Sequence, residues 1–561
     1  MTINKLAFLS LMLITGVLVP AQGSGQGRTQ ARSMVISRHG IVASEHPLAS
    51  RIGVEMLEHG GNAVDAAVAA NAAMGLFAPM ANGIGGDLFA IVYEAKTGKL
   101  YGLNASGWAP AGLTPDFLKV RGFTNMPQSG IHSVTVPGAV DGWDKLLRRF
   151  GRKRLSAVLA PTIRCAEAGF PVTEIFASYW EASERKLRRD DPAAKLYLPN
   201  GRGPRTGEIF TNPELAWSYR QIASGGRKAF YEGEIAKRLL ACSAGHGGTL
   251  TQQDLAAFSS EWVEPLSTEY RGWTVYELPP NGQGIGALEM LNIMEQFPLT
   301  AFKAGSADAF HVMIEAKKLA YADVLRYVCD PKFNQVPVST LLSKDYASAR
   351  SKLIDMAKAN CDVGPGRALA IGNDTTYLCA VDSEGNMVSY IQSNYSSFGS
   401  GVVAAGTGFV LQNRGGLFSL DPASPNVLVG RKRPLHTIIP AFMSKGSVRV
   451  AFGIMGGWNQ SQAHAQFVSD LADFQMNIQA AMEAPRFTKS TFEDCDLEME
   501  KRVPAAVRAE LEARGHQIKV RGDFASAVGG GQAVLRDFAS GINYGASDPR
   551  KDGAAAAELE R

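Results

Sequence analysis

Three consecutive residues, Asp374-Thr375-Thr376, place two hydroxyls where a turn-like Gly372-Asn373-Asp374 enters a β-rich run. Scission of the Asp374–Thr375 peptide bond would leave Thr375 with a free α-amine beside its own Oγ. Nucleophile and general base then share one residue. The amine suits the task, because a pKa of about 7.7–8.0 leaves much of it unprotonated near neutral pH, unlike a lysine. Taken alone, the tripeptide also reads as turn chemistry followed by β-propensity. Farther along, Met455 precedes the pair Gly456-Gly457. Acyl transfer needs backbone N–H groups about 2.7–3.1 Å from a tetrahedral oxygen, and glycine lacks the Cβ that would crowd them. A plain turn uses the same pair.

The elements that must position these residues follow from periodicity. Residues 41–75 read as two helices, with Leu48, Ile52 and Met56 four apart and Gly60-Gly61 as the stop. Asn62 can cap the second, at 63–74, whose alanines suit close interior packing. A glycine turn at 83–86 leads into a buried strand at 88–93, and Thr97-Gly98 turns into 100–103. Residues 110–330 read as mostly helical, most clearly 308–327. Residues 355–372 lose periodicity around Gly364-Pro365-Gly366, as an exposed processing loop would. From Thr375 the period becomes two. Residues 377–381 and 387–391 flank a hairpin turn at 382–386, with further β segments at 408–412 and 448–452, a helix at 461–473 and strands beyond it. Two β layers enclosed by helices make a four-layer αββα sandwich of the α/β class.

Composition sets the outer bounds. The 561 residues suffice for a large core, and 45% hydrophobic with 20% charged residues is ordinary for a globular protein. A net charge of +4 without a block of like charges gives no footprint for nucleic acid. Lys5, the apolar run from Leu6 to Leu18 and Val19-Pro20-Ala21 read as a signal peptide over 1–21, predicting a secreted or periplasmic protein with no stable membrane span after its removal. The six cysteines have no Cys-x-x-Cys spacing, and Cys379 reads as a buried thiol. The nine histidines show no metal-ligand spacing, so no metal is assigned. Gly282-Gln283-Gly284-Ile285-Gly286 is a fragment of a dinucleotide loop and reads as a surface turn.

In order along the chain, Val42–Ala49, Gly60–Val68, Gly83–Gly86, Asp374-Thr375-Thr376, Gly385-Asn386, Phe398–Gly401, Lys432–Pro434, Met455–Gly457, Ala484–Phe487 and Ser547–Arg550 resemble the motifs of γ-glutamyltranspeptidases. Each motif is weak; ten in sequence are specific. The resemblance implies an N-terminal-nucleophile hydrolase, exported as a precursor that cuts itself into a large subunit (22–374) and a small one (375–561) forming one structural domain, with no cofactor. It implies Thr375 as nucleophile, Ser393 as the hydroxyl that orients it, and Gly456 and Gly457 as the oxyanion hole. Thr376, on the opposite face of a regular strand, would support them from behind.

The chain departs from the family where substrate is recognised. Ser106 stands where the family has the arginine that holds the γ-glutamyl carboxylate, and Leu417 where it has the aspartate that holds the amine. Tyr395 replaces an asparagine, and His436-Thr437 replaces a Ser-Ser pair. Arg414 is a substitute carboxylate binder or a structural ion-pair member. Trp108 and Tyr395 make an aromatic wall for a different acyl group or pack in the core. The sequence thus predicts an acyl-Thr375 enzyme that cleaves a small-molecule amide and passes the acyl group to water or an amine. The substrate is a γ-glutamyl compound such as glutathione, or a different acyl amide as in cephalosporin acylases and oxamate amidohydrolase. An unprocessed binding protein of the same fold is the alternative from another class.

Overall fold

Two antiparallel seven-stranded sheets lie face to face in the computed structural model, which describes residues 30–363, 374–489, 491 and 494–559. The expected signal peptide and Gly364-Pro365-Gly366 fall outside the described residues. The first sheet runs Ala554–Ala557, Ile41–Ser44, Asp374–Val381, Met387–Tyr395, Asp87–Glu94, Lys99–Ala105, Glu261–Val263. The second runs Val35–Ser37, Ile542–Ser547, Gly531–Asp537, Val448–Ile454, Ala441–Lys445, Trp273–Glu277, Leu266–Tyr270. Residues from both sides of Asp374 therefore interleave in each sheet.

The two-residue period decides what each strand faces. Tyr377, Cys379 and Val381 point between the sheets, onto Phe442, Ala451 and Val534. Leu378 and Ala380 point the other way, into a helical layer that includes Pro47–Glu58 and Ala63–Phe77. On the outer face of the second sheet, Met443, Val450 and Phe452 pack with Gly284–Met294, Ala307–Tyr327 and Gln460–Ala472. This is the expected αββα sandwich. Every residue of Ala63–Phe77 is buried, consistent with its alanine content. Asn62 Oδ1 accepts from the N–H groups of Val64 and Asp65, while Asp65 returns a bond to the Asn62 N–H, a full capping box.

Four local expectations need correction. Residues 41–44 form a strand rather than the start of a helix, because they zip between Ala554–Ala557 and the strand of Thr375. Three strands at 261–277 interrupt the helical middle and complete one edge of each sheet. Residues 408–412 form no strand: the Leu411 N–H donates to Val402 O (2.9 Å) and the Gln412 N–H to Gly85 O (3.0 Å), which locks them as buried loop. Gly282–Gly286 is no surface turn either. It is buried and starts the helix Gly284–Met294.

Cys361 and Cys495 form a disulfide across 134 residues of sequence, from one side of Asp374 to the other. Beside it lies a buried polar knot that no sequence spacing announced. His311 Nδ1 and His516 Nε2 are 2.9 Å apart, and Lys318 Nζ lies 2.5 Å from Glu315 Oε1. Cys379 is the expected buried free thiol, its pKa pushed up by burial. No helix among the described residues is long and apolar enough to cross a membrane.

Candidate active site

Thr375 sits on an irregularity in an otherwise regular ladder. Asp374 pairs with Tyr395 and Thr376 with Gln392, so Ser393 and Asn394 together oppose the single residue Thr375, a β-bulge in the strand Met387–Tyr395. Bulges re-aim side chains, and here the Thr375 hydroxyl donates to Ser393 Oγ at 3.1 Å. Both residues are buried. Ser393 Oγ also accepts the Tyr395 N–H at 2.7 Å. Thr376 turns to the helical side, where its Oγ1 accepts from Asn82 Nδ2 at 2.5 Å. The two hydroxyls thus lie on opposite faces, as a strand period requires. The strand is anchored beyond them by the Tyr377 N–H on Glu45 Oε1 (2.9 Å).

Gly456 and Gly457 follow the strand Val448–Ile454 and open a short 3₁₀ turn into Gln460–Ala472. Their φ angles, +131° and +58°, lie in the region that favours glycine. Among the described residues neither of their N–H groups donates a hydrogen bond, while the flanking Met455 and Asn459 N–H groups do. The turn is held from outside. Gln283 Nε2 donates to Gly457 O (2.8 Å) and Thr437 O (2.5 Å), and Lys317 and Tyr321 both donate to Trp458 O, at 2.6 and 2.5 Å. Gln283, in the glycine segment first read as a surface turn, therefore ties this turn to Thr437.

Tyr395 and Arg414 form the neighbouring wall. Tyr395 has φ +79°, a conformation costing about 1–3 kcal/mol for a non-glycine residue. Its ring lies 4.6 Å below the Arg414 guanidinium, a cation–π contact. Arg414 is fully buried, and Nη1 donates to Thr437 Oγ1 at 2.7 Å. Nε and Nη2 have no acceptor, and no carboxylate lies within ion-pair distance among the described residues. Burial lowers its pKa to about 10, with Asp87 opposing the shift, so it remains a cation at neutral pH. The ion-pair alternative for Arg414 thus finds no partner here.

His436 faces Asp87. The ring Nδ1 accepts the Ile438 N–H (3.3 Å), which puts the proton on Nε2, donated to Asp87 Oδ2 at 2.9 Å. Burial, with Arg414 nearby, takes its pKa down to about 4, so the imidazole is neutral. Asp87 Oδ1 accepts from the Gly107 N–H (2.9 Å) and Gln412 Nε2 (2.7 Å). This aspartate was missed by sequence reasoning; its position directly after Gly83–Gly86 was the available signal. Asn281, also missed, donates to Ser106 Oγ (3.1 Å) and Pro434 O (2.7 Å).

The remaining predicted residues lie to one side. Ser106 is buried against Asn281 and Arg433, whose Nε donates to Ser106 O at 3.0 Å. Arg433 itself is paired with Glu261 at 3.0 Å. Trp108 packs edge-on against Phe258 at 5.0 Å, whereas Tyr395 and Leu417 belong to another cluster with Leu435 and Trp458. Trp108 and Tyr395 therefore do not form one continuous aromatic wall. Two of the recognised motifs also meet elsewhere. Arg486 pairs with Asp548, and Arg550 with Glu500, both at 2.7 Å in a fully buried network.

Comparison with known proteins agrees with this geometry. The γ-glutamyltranspeptidase family profile matches residues 49–558. The chain is 38% identical to the glutathione hydrolase-like YwrD proenzyme of Bacillus subtilis, over 93% of this chain and 99% of that one. It is 35% identical to the oxamate amidohydrolase proenzyme of Klebsiella pneumoniae, again over 93% and 99%. The crystal structure of cephalosporin acylase from Bacillus halodurans superposes with a TM-score of 0.89 at 42% identity, covering 97% of this chain and 100% of that one. The two-sheet sandwich, the ordered motifs and these full-length matches make the chain a member of the γ-glutamyltranspeptidase family of N-terminal-nucleophile enzymes.

Proposed function

We propose that the chain is an exported precursor that cleaves itself at Asp374–Thr375 and then hydrolyses or transfers the acyl group of a small amide through Thr375. The observation that carries this reading is the Thr375–Ser393 hydroxyl pair, 3.1 Å apart and buried on a bulge directly after Asp374. In the precursor, Thr375 Oγ attacks the Asp374 carbonyl carbon and the C–N bond breaks. The resulting ester is opened by water, leaving Asp374 with a carboxyl terminus and Thr375 with a free amine. Residues 22–374 and 375–561 become the large and small subunits.

The mature site repeats this geometry on a substrate. The Thr375 amine takes the Oγ proton, Oγ bonds to the substrate carbonyl carbon, and the amine product leaves with that proton. Water, or an acceptor amine, then attacks the acyl-Thr375 ester. The free N–H groups of Gly456 and Gly457 hold the oxyanion in both steps, a contribution of about 3–4 kcal/mol for one donor of this kind. Ser393 orients Oγ, and Thr376 is a positioning residue fastened by Asn82. Ser106, Trp108, Tyr395, Arg414, His436 and Thr437 are proposed to surround the acyl group. γ-Glutamyl compounds are the family's substrates; the relatives named for cephalosporin and oxamate support other acyl amides equally.

The test is Thr375→Ala beside Thr375→Ser. The alanine variant is expected to stay as one chain on a reducing gel and to lack amidase activity. The serine variant is expected to be cut, more slowly. Normal cleavage of the alanine variant would remove Thr375 from the mechanism.

A further inference from the structure

Where the helix Gln460–Ala472 ends, three buried carboxylates each meet a cation. Asp548 faces Arg486 at 2.7 Å and Arg550 at 3.0 Å. Glu500 has Arg550 at 2.7 Å and Arg502 at 2.9 Å. Asp473 has Arg271 at 3.0 Å and the Tyr270 hydroxyl at 2.5 Å. Asp470, also buried, differs from all three. Its Oδ2 has no hydrogen-bond partner, and no cation lies within ion-pair distance of it among the described residues. Buried carboxylates are normally paired, so one left without a counter-ion beside open space points to a cation that arrives from outside.

The open space is a cleft of about 280 Å³ that Asp470 lines. Its other walls are mostly apolar: Phe310 and Met313 from the helix Ala307–Tyr327, Phe474 and Met476 from the loop after Gln460–Ala472, and Pro485. Residues from both sides of Asp374 thus meet there, on the outer face of the second sheet and away from Thr375 in the first. The walls are braced. Asp470 O accepts the Met476 N–H and Gln466 Nε2 donates to Pro485 O, both at 2.9 Å. Arg502 is the other charged group of the lining. Its Nη1 and Nη2 are turned to Glu483 O (2.8 Å) and Glu500 Oε2 (2.9 Å), and its Nε has no acceptor. Burial pushes the Asp470 carboxyl up to about 8, with Asp473 adding to the rise and Arg486 and Gln466 opposing it. Without a cation beside it, the group is therefore protonated at neutral pH.

We propose that this cleft is a second binding site, taking a small primary amine with an apolar body whose ammonium group pairs with Asp470. The ammonium donates to the carboxylate, while the apolar body removes Phe310, Met313 and Met476 from water. Only a proton changes hands: the Asp470 carboxyl gives its proton to solvent as the ammonium arrives. Affinity therefore rises with pH until the carboxyl is ionised without help. The inference is independent of the Thr375 reading and holds for a cut or an uncut chain.

Three probes that share a phenylethyl body separate the possibilities by calorimetry on the purified protein: 2-phenylethylamine, 2-phenylethanol and 3-phenylpropionate. At pH 8 the amine is expected to bind at least about thirtyfold more tightly than the alcohol, the scale of one buried charge contact, and the acid more weakly than either. Amine affinity should fall by about tenfold per pH unit from 8 to 6, as the carboxyl takes its proton back. Asp470→Asn keeps the shape, should bring amine binding down to the level of the alcohol, and should remove the pH dependence. Its gel pattern should match that of the wild type. Equal binding of amine and alcohol, a pH-independent amine affinity, undiminished amine binding in Asp470→Asn, or no binding of the amine would each overturn the assignment. Tightest binding of 3-phenylpropionate would overturn it too, and give the cleft to Arg502 Nε. Should Asp470→Asn fail to fold, the alcohol comparison and the pH series on the wild-type protein decide alone.

Discussion

Replacing Ser393 by alanine removes two bonds to described residues at once, and their consequences can be separated. The first is the 3.1 Å bond donated by the Thr375 hydroxyl, the second the 2.7 Å bond donated by the Tyr395 N–H. Both lie in a site closed to water, with Ser393 and Thr375 at 0% and 1% exposure. Taking the acceptor from a buried N–H costs about 1–3 kcal/mol of stability. The orienting bond contributes about 0.5–1.5 kcal/mol, and loss of aim adds to it, since small misplacements of a reacting atom cost up to about a hundredfold. Cleavage of the Ser393→Ala precursor should therefore be about ten- to a hundredfold slower than wild type. The assay follows the new fragment on reducing gels after expression and rapid purification, with urea denaturation of uncut chains for the stability part. Ser393→Thr keeps the hydroxyl and should restore both. Wild-type cleavage in Ser393→Ala, alongside the stability loss, would show that Ser393 braces Tyr395 and does not aim Thr375.

Three further outcomes follow from named contacts. Because Cys361–Cys495 spans the scissile bond, the processed protein should run as one band on a non-reducing gel and as two after reduction; two bands without reductant would contradict the linkage. Gly456→Ala puts a Cβ at φ +131°, within 3.2 Å of Asn459 Cβ, and should slow cleavage by at least about a hundredfold, as loss of an oxyanion donor does; normal processing would place the oxyanion elsewhere. Buried His436 titrates at about 4, against 6.5 in the unfolded chain, so the unfolded state binds the extra proton between those values and stability falls as pH drops from 6.5 towards 4. His46 and His464, held at about 3, add to the same slope. His436→Gln in the uncut Thr375→Ala chain should reduce the slope by roughly 1.4 kcal/mol per pH unit, one proton's worth, and an unchanged slope would show that His436 is not neutral in the folded state.

What the sequence made legible was local. The period-two run after Thr375, the Asn62 capping box and the helix ending at Tyr327 each follow from neighbours within a few residues. Trp273–Glu277 carried an aromatic and β-branched alternation too, but its helical surroundings masked it; the strand is fixed by its pairing with Ala441–Lys445, remote in sequence. The apolar residues Phe409, Val410 and Leu411 suggested a strand and proved to be buried loop, since burial alone does not make a ladder. Thr375, Ser393 and the glycine pair could be proposed from sequence because the proposed acyl transfer demands those residue types. The open edge of Arg414 was not, because whether an arginine has a partner depends on every residue the fold brings near it. The same holds for Asp87, whose three donors come from positions 107, 412 and 436.

The central claim is that one peptide bond breaks to create the catalytic amine. N-terminal sequencing of the small fragment from purified, reduced protein tests it most directly. The account predicts a fragment beginning Thr-Thr-Tyr-Leu, in equal amount to the large one. An intact chain that still hydrolyses amides, or a fragment with any other first residue, would contradict it.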